Sequence, residues 1–262
     1  MSRSAPSMGR SAPSQGRSAR GHGLGTADLH LHTLYSDGTA RLVDLLNWVE
    51  HRTSLDLVAI TDHDRIDGAL RAQAMQAAGD YHFGLVVGEE ITTRSGHLLG
   101  LFLTRPIPPF RSVTETVERI HAQRGLAVAP HALGIFLSLG RGSLVRLQSD
   151  PRPERHLDAV ELINPSLGGR LRHAALARLN EERLHLPGTG SSDAHVLETV
   201  GSAWTTFPGR TAEDFRAALA NGEVEAMGAH WSTAHNAAVY GRQLVAKARK
   251  LGHTLRPSGE WR

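Results

Sequence analysis

The sequence contains no cysteine. This absence excludes disulfide bridges, zinc sites built from thiolates and catalysis by a cysteine nucleophile. Long apolar runs are missing as well, since no stretch approaches the roughly 18 apolar residues that a membrane-spanning helix requires. Lysine occurs only twice, as Lys247 and Lys250. We therefore expect a cytoplasmic protein that does not enter a membrane and whose site is built without thiol or amine groups.

The two ends of the chain differ in composition from its middle. Residues 1–24 repeat a seven-residue pattern of serine, glycine, proline and arginine, with four arginines and no acid. This composition offers no apolar face to bury and predicts a disordered head. Residues 226–262 contain six basic residues against Glu260, and their alanines recur at helical spacing. They predict a C-terminal helix and basic tail packed on the domain formed by residues 25–225.

Within residues 25–225, short apolar runs alternate with segments of helical periodicity. Leu42, Leu45 and Leu46, for example, share one face of a helix. The apolar runs that predict strands are 27–32, 56–61, 84–91, 97–103, 126–130, 159–163, 186–191 and 203–207. Such an alternation is typical of an α/β protein. We expect a distorted TIM-like (β/α)7 barrel with a C-terminal helical appendage, since one barrel of this kind fits the available length.

Polar side chains cluster where the predicted strands stop, which is the edge where barrel enzymes place their sites. His30 and His32 stand two residues apart on an extended segment, so both imidazoles point to the same face and can bind one metal ion. The chain has sixteen histidines, and several of them belong to this cluster together with acidic residues. Its members are His30, His32, Asp37, Asp62, His63, Asp64, Glu89, Glu90, His97, His131, Asp193 and His195.

The order of these residues resembles the polymerase and histidinol phosphatase (PHP) family over most of residues 26–210. Its motifs match Asp28-Leu29-His30-Leu31-His32-Thr33 with Ser36-Asp37-Gly38, Thr61-Asp62-His63-Asp64, Gly88-Glu89-Glu90-Ile91 and Ser192-Asp193-Ala194-His195. The resemblance implies that one ion is held by His30, His32, Glu90 and Asp193. It further implies that Glu90 bridges to a second ion held by His97 and His131. A third ion would be held by Asp37, His63 and His195.

The number of ligands suits two to three divalent or trivalent ions, because a catalytic metal usually has about three protein ligands. Imidazoles and carboxylates without sulfur suit zinc, manganese or iron. Of the adjacent glutamates, the family's spacing selects Glu90, and strand alternation then turns Glu89 to the opposite face. Asp28 would either fix the tautomer of a ligand imidazole or serve as a polar residue at the start of its strand.

The resemblance implies metal-dependent hydrolysis of a phosphate ester by a metal-activated hydroxide. Asp64 or a metal-bound water would protonate the leaving group. Because the barrel lacks lysine, an arginine should contact the phosphate. Arg94, Arg141 and Arg170 are the candidates, and Arg141 is the predicted catalytic one. The expected substrate is a nucleotide, a nucleoside bisphosphate or a short oligonucleotide, with histidinol phosphate or another small phosphomonoester as the alternative, and no obligate protein partner is expected.

Two other classes of protein fit parts of the pattern. An amidohydrolase barrel also begins with two histidines in this spacing, but its two-metal members commonly bridge the ions with a modified lysine. The barrel of this chain has no lysine, so a carboxylate must bridge, which favours the PHP resemblance. A non-catalytic metal-binding domain is the second alternative. It is disfavoured because all nine ligand positions hold suitable residue types.

Overall fold

The structure is a computed structural model that describes residues 23–134 and 137–254, with side chains described up to residue 245. The expected disordered head up to residue 22 and the basic tail beyond residue 254 lie outside this part. The strands are β1 (Leu24–Leu31), β2 (Leu57–Ile60), β3 (Gly84–Thr93), β4 (Gly96–Leu101), β5 (Leu126–Ala129), β6 (Ala159–Ile163), β7 (Gly188–Gly190), β8 (Ala203–Pro208) and β9 (Glu225–Gly228). The helices are α1 (Leu42–Arg52), α2 (Asp67–Ala78), α3 (Val113–His121), α4 (Arg141–Gln148), α5 (Leu167–Leu179), α6 (Ala212–Asn221) and α7 (Thr233–Thr254). No helix in the described ranges is long and apolar enough to span a membrane.

The strands form one sheet in the order β7-β6-β5-β4-β3-β2-β1-β8-β9, which curls into a nearly closed barrel. Its ends meet where the Thr205 hydroxyl on β8 donates to the carbonyl oxygen of Gly190 on β7 and accepts from its amide, both at 3.0 Å. A Cβ at Gly190 would lie 2.6 Å from the Trp204 carbonyl oxygen, so only glycine permits this approach. The predicted α/β, TIM-like barrel is confirmed.

The sheet has nine strands, whereas the sequence predicted eight apolar runs and a seven-stranded barrel, because two antiparallel ribbons are built into it. β3 turns back into β4, and β8 turns back into β9. β9 gave no signal in the sequence, since it is only four residues long and combines a charged residue with small ones. The sheet therefore continues to Gly228, past the expected domain boundary at residue 225.

The reversed direction of β4 matters for the site. β4 is antiparallel to both of its neighbours, β3 and β5. Its first residues therefore lie at the same edge of the sheet as the last residues of β3 and β5. His97, the second residue of β4, is brought to the edge where the parallel strands end.

Apolar residues form two clusters, one on each side of the sheet. Along β2, Leu57 belongs to the inner cluster, which fills the barrel, and the next residue, Val58, belongs to the outer cluster beneath the helices. The inner cluster includes Phe207 of β8 and Phe215 of α6, whose rings meet edge to face with centroids 5.4 Å apart. Full burial of such side chains is the main source of stability, at roughly 1.5–3 kcal/mol each.

A β-bulge in β1 decides which side chains enter the barrel. The register against β2 shifts by one residue between Asp28 and Leu31, so that Leu31 pairs with Ile60. Leu29 belongs to the inner cluster and Leu31 to the outer one. The extra residue of the bulge lets His30 face inward directly after Leu29, which strict alternation would forbid.

Asp28 attaches the last predicted motif to β1. Its two carboxylate oxygens accept hydrogen bonds from the backbone amides of Ser192 and Gly201, each at 2.9 Å. Burial raises the pKa of Asp28 to about 6, although these hydrogen bonds act in the opposite direction. Asp28 thus joins two strand ends through backbone amides.

We expect Asp28→Ala to lower the free energy of unfolding by roughly 2–4 kcal/mol, because two buried amides lose their acceptors. Urea denaturation at pH 7 measures the effect. Asp80→Ala, at an exposed position, is the matched control and should change the free energy of unfolding by less than about 0.5 kcal/mol. Equal, small effects of the two substitutions would contradict the structural role of Asp28.

Candidate metal centre

The structure brings all nine predicted ligands together at one edge of the barrel. Strand ends and the loops after them carry eight of these residues, and His97 comes from the start of β4. The loop after β7 returns to β1, where the His32 amide donates to the Ala194 carbonyl oxygen at 2.9 Å. Asp193 in this loop has left-handed backbone geometry with φ of 51°. Such a conformation is strained for a residue other than glycine and is concentrated at functional sites.

Glu90 stands at the centre of the group. It lies on the same face of β3 as Val86, a residue of the inner cluster. Its side chain is 1% exposed, and its two oxygens approach the ring nitrogens of five histidines at 2.7–3.3 Å. Oε1 contacts His97 and His131, whereas Oε2 contacts His30, His32 and His63.

Four side chains form one candidate metal-binding group: His30, His32, Glu90 and Asp193. The Nε2 atoms of both histidines lie 3.1–3.4 Å from Glu90 Oε2 and from Asp193 Oδ1. Donors around one tetrahedral ion at about 2.0–2.1 Å are separated by about 3.4 Å, so the spacing fits. His32 Nε2 is also buried without a well-formed hydrogen bond, although it points at two carboxylates.

Two further groups share residues with the first. One group contains His63, Glu90 and His97. The other contains Asp37 with His32, His63 and His195. The Asp37 Oδ1 atom is 3.1 Å from His195 Nε2 and 3.6 Å from His63 Nε2. His131 Nε2 reaches Glu90 Oε1 at 3.0 Å. The residues therefore suit more than one ion, and how the ions divide them stays a prediction.

The charges of the site are strongly coupled. Burial raises the pKa of the Glu90 carboxyl, but His30 and His63 outweigh burial and hold that pKa well below its ordinary value. Burial also raises the pKa values of Asp37 and Asp193, but neighbouring histidines outweigh burial and leave both pKa values below their ordinary range. These carboxylates are thus ionised at neutral pH and require positive charge close by.

The imidazoles supply that charge by binding protons. Burial lowers the pKa of His32, but Asp193 and Glu90 together raise it to about 9, and they raise the pKa of His30 as well. The pKa of His63 is lowered, chiefly by burial. Metal ions would compete with protons for these ring nitrogens, so ion binding should release protons and strengthen as pH rises.

Glu161 and Asn164 support the ligands and were not predicted. Glu161 is buried on β6, and its Oε2 lies 3.1 Å from Nδ1 of His30, which fixes the orientation of that ring. The Asn164 amide donates to Glu161 at 2.8 Å and to Asp193 at 3.4 Å. A lone carboxylate within the apolar run Ala159–Ile163 was the signal available in the sequence.

Asp62 and Asp64 brace the loops that carry ligands. Asp62 accepts hydrogen bonds from the Thr33 amide, the Thr33 hydroxyl and the Ser36 hydroxyl at 2.6–2.8 Å, which fixes the turn leading to Asp37. Both oxygens of Asp64, the predicted catalytic acid, accept from the amide and hydroxyl of Thr92 at 2.7–2.8 Å. Asp64 does not line the cavity described below.

Glu89 points away from the ligands, as strand alternation predicts. One of its oxygens accepts from the Ile107 amide at 2.8 Å, and the other is buried without a hydrogen-bond partner among the described residues. Burial raises the pKa of Glu89 to about 7. Two adjacent glutamates thus have opposite charge preferences because they lie on opposite faces of one strand.

A cavity of about 660 Å³ opens beside the ligands. One wall is formed by the metal-binding residues, and the other by Leu167, Gly168 and Leu171 of α5 with Trp231, Tyr240 and Gln243. The last two belong to α7, so the expected appendage is a wall of the site. No arginine or lysine occurs among the described residues that line it. Arg141 lies in a separate cleft with Arg146 and Arg183.

Comparisons with known proteins show which sequences and structures this chain is similar to. A family model described as PHP-associated matches residues 172–224. An uncharacterized protein of Methanocaldococcus jannaschii is 37% identical over 150 residues, which cover 53% of this chain and 81% of that protein. A two-domain protein from Bacteroides vulgatus, containing a predicted PHP-like metal-dependent phosphoesterase, has a TM-score of 0.57 at 18% identity over 79% of this chain and 65% of its own. The lesion-specific endonuclease Q of Pyrococcus furiosus has a TM-score of 0.53 at 17% identity over 78% and 58% of the two chains. The two structural likenesses show the shared fold.

We expect Glu89→Gln to stabilise the protein progressively above pH 4.5. The raised pKa means that wild type loses stability as pH rises from about 4.5 to 7, because over this range the unfolded chain releases the proton of Glu89 while the folded protein retains it. The stability difference between variant and wild type should grow by about 3 kcal/mol over this window and stay constant above it. Urea denaturation at pH 4.5 and pH 8 measures it. A difference that does not change with pH would show that Glu89 titrates normally.

We expect Glu161→Gln to weaken zinc binding by about 10- to 100-fold, because His30 loses the carboxylate that orients it. Competition with a chelator of known affinity measures the dissociation constant. Glu213→Gln, at an exposed position on α6, is the control and should leave zinc affinity unchanged. Wild-type affinity in the Glu161 variant would rule out the supporting role.

Proposed function

The chain belongs to the PHP family, and from this premise we propose that it is a metal-dependent hydrolase of phosphate esters. One observation carries the proposal: a buried carboxylate, Glu90, is surrounded by five imidazoles and joined by Asp37 and Asp193. Such a set suits ions that prefer nitrogen and oxygen ligands. The ligand positions suit two to three ions of zinc, manganese or iron.

The residues fit these ions, and each would have a distinct task. Glu90 would bridge two ions, with His30, His32 and Asp193 on one side and His97 and His131 on the other. Bound ions would activate a water for attack and neutralise charge on the phosphate oxygens. Glu161 keeps Nε2 of His30 directed at the site by its contact with Nδ1. Asp37 and Asp193 balance the positive charge that the site collects.

In this proposal, ions held by the metal-binding residues bind the phosphate of the substrate. No cationic side chain among the described residues lines the cavity. Because neither Arg141 nor Asp64 lines the cavity, we assign neither residue a part in the reaction. A substrate with one phosphate at the reacting position matches the metal-binding wall, where bound ions would supply the positive charge.

The cavity volume supports a substrate of nucleotide size, since pockets for small molecules span roughly 300–1,000 Å³. A nucleotide or the end of a short oligonucleotide is our preferred substrate. The likeness to an endonuclease supports phosphate esters of this kind. A bridging carboxylate in place of lysine favours phosphate esters over the amides and lactones of amidohydrolases.

Glu90→Gln should abolish hydrolysis and lower metal content, because the bridging charge is lost. Glu89→Gln should retain both, since that side chain faces away from the ligands. Elemental analysis gives metal content. Activity is measured with manganese- or zinc-supplemented protein on nucleotides, nucleoside bisphosphates, short oligonucleotides, histidinol phosphate and sugar phosphates.

The same screen includes amides and lactones. Turnover of these compounds without turnover of phosphate esters would overturn the proposal in favour of an amidohydrolase. Fewer than two equivalents of metal per chain, together with no activity, would indicate a non-catalytic metal-binding domain. Equal effects of the two glutamine substitutions would show that the assignment of Glu90 as the bridge is wrong.

A further inference from the structure

The cavity has two chemically different walls. The aromatic side chains of Trp231 and Tyr240 line it together with the metal-binding residues, and the leucines Leu137 and Leu171 line it as well. The two leucines are 60% and 59% exposed, and Tyr240 is 43% exposed. Apolar side chains left open to solvent beside a polar site are typical of a surface that binds a ligand.

The aromatic wall is fixed firmly to the metal-binding wall. Asn236 of α7 is 2% exposed, and its side-chain oxygen accepts from the Leu167 amide at 2.9 Å. The Trp231 amide donates to the Pro165 carbonyl oxygen at 2.9 Å, and His230 contacts the Asn164 carbonyl oxygen at 3.0 Å. The segment that bears the aromatic residues is therefore held by the same loop that contains Asn164.

Tyr240 stands close to the ligands. It lines the cavity together with Ser166, the residue that caps α5, and with Asp193. Burial raises the pKa of Tyr240, and the nearby Asp193 carboxylate raises it further, which places this side chain within electrostatic reach of a predicted metal ligand. Because Tyr240 lines the same cavity as Asp193 and His195, a group held against the tyrosine ring lies in the cavity that the metal-binding residues line.

We propose that Trp231 and Tyr240 form a platform that binds the nucleobase of the substrate while its phosphate lies at the metal-binding wall. This inference rests on the proposed function and specifies its substrate. Stacking on an aromatic side chain suits any base, because every base presents a flat π-face. Gln243, on the same wall, offers a donor and an acceptor to the edge of the base. A sugar phosphate without a base has no group to place there.

The test compares adenosine 5′-phosphate with ribose 5-phosphate, which share the phosphorylated ribose and differ at C1, where one carries the base and the other a hydroxyl. Wild type should prefer the nucleotide by about tenfold or more in kcat/KM, the size of one stacking contact. In Trp231→Leu and Tyr240→Leu the ratio should fall toward one, whereas Tyr240→Phe should retain it. Leu244→Ala changes a residue on α7 that is 68% exposed and does not line the cavity, so it should leave the ratio unchanged.

Equal kcat/KM for the two esters in wild type would overturn the platform. It would also be overturned if both leucine variants kept the wild-type ratio, or if Leu244→Ala lowered it as much as they do. A dinucleotide with a 5′-phosphate distinguishes a free nucleotide from a strand end. Either can present a base, and the better substrate identifies the source.

Binding of the dephosphorylated pair separates this inference from the proposed function. Calorimetry should detect adenosine binding but not ribose binding, and Tyr240→Leu should abolish the adenosine signal. If no ester is hydrolysed yet adenosine binds in this manner, the platform stands and the phosphatase proposal fails. If both esters are hydrolysed equally and adenosine does not bind, the phosphatase proposal stands and the platform fails.

Discussion

The arrangement of the site depends on one buried carboxylate, which requires positive charge close by. Glu90 is almost fully enclosed, and an isolated ionised group in such surroundings would cost many kcal/mol. Five imidazoles surround it, and those of His30, His32 and His131, whose pKa values are raised, compensate for its charge by holding protons. Ions that replace those protons would do so more strongly. The bulge in β1 and the reversed direction of β4 both serve this arrangement, since they bring His30 and His97 to the same carboxylate.

The ligand cluster was predictable because its signals are local. Each motif lies where an apolar run ends, and the carboxyl ends of barrel strands meet at one edge, so residues far apart in sequence could be assigned to one site. The alternation of Glu89 and Glu90 follows from the period of a strand. The overall α/β barrel followed from the alternation of apolar runs and helical segments, which holds over most of the chain.

Other features depend on packing that no local pattern reports. The bulge in β1 changes the face of one residue without any glycine or proline to mark it. β9 has too few residues to show a period. The placement of α7 depends on long-range contacts of buried side chains such as Asn236, whose partner lies 69 residues away. Arg141 was predicted as the catalytic arginine from its position between strands, but it lies in another cleft. Position along the chain did not report where this side chain packs.

The ligands and the aromatic wall occupy separate stretches of the chain. The predicted ligands fall between His30 and His195, whereas Trp231 and Tyr240 lie just before α7 and within it. That later segment is held by the contacts of His230, Trp231 and Asn236. Under the proposed function, substitutions in that later segment would alter which ester is accepted while ion binding persists. Selectivity and reactivity are in this sense separately adjustable, and diversification of substrate range needs no change in the metal-binding residues.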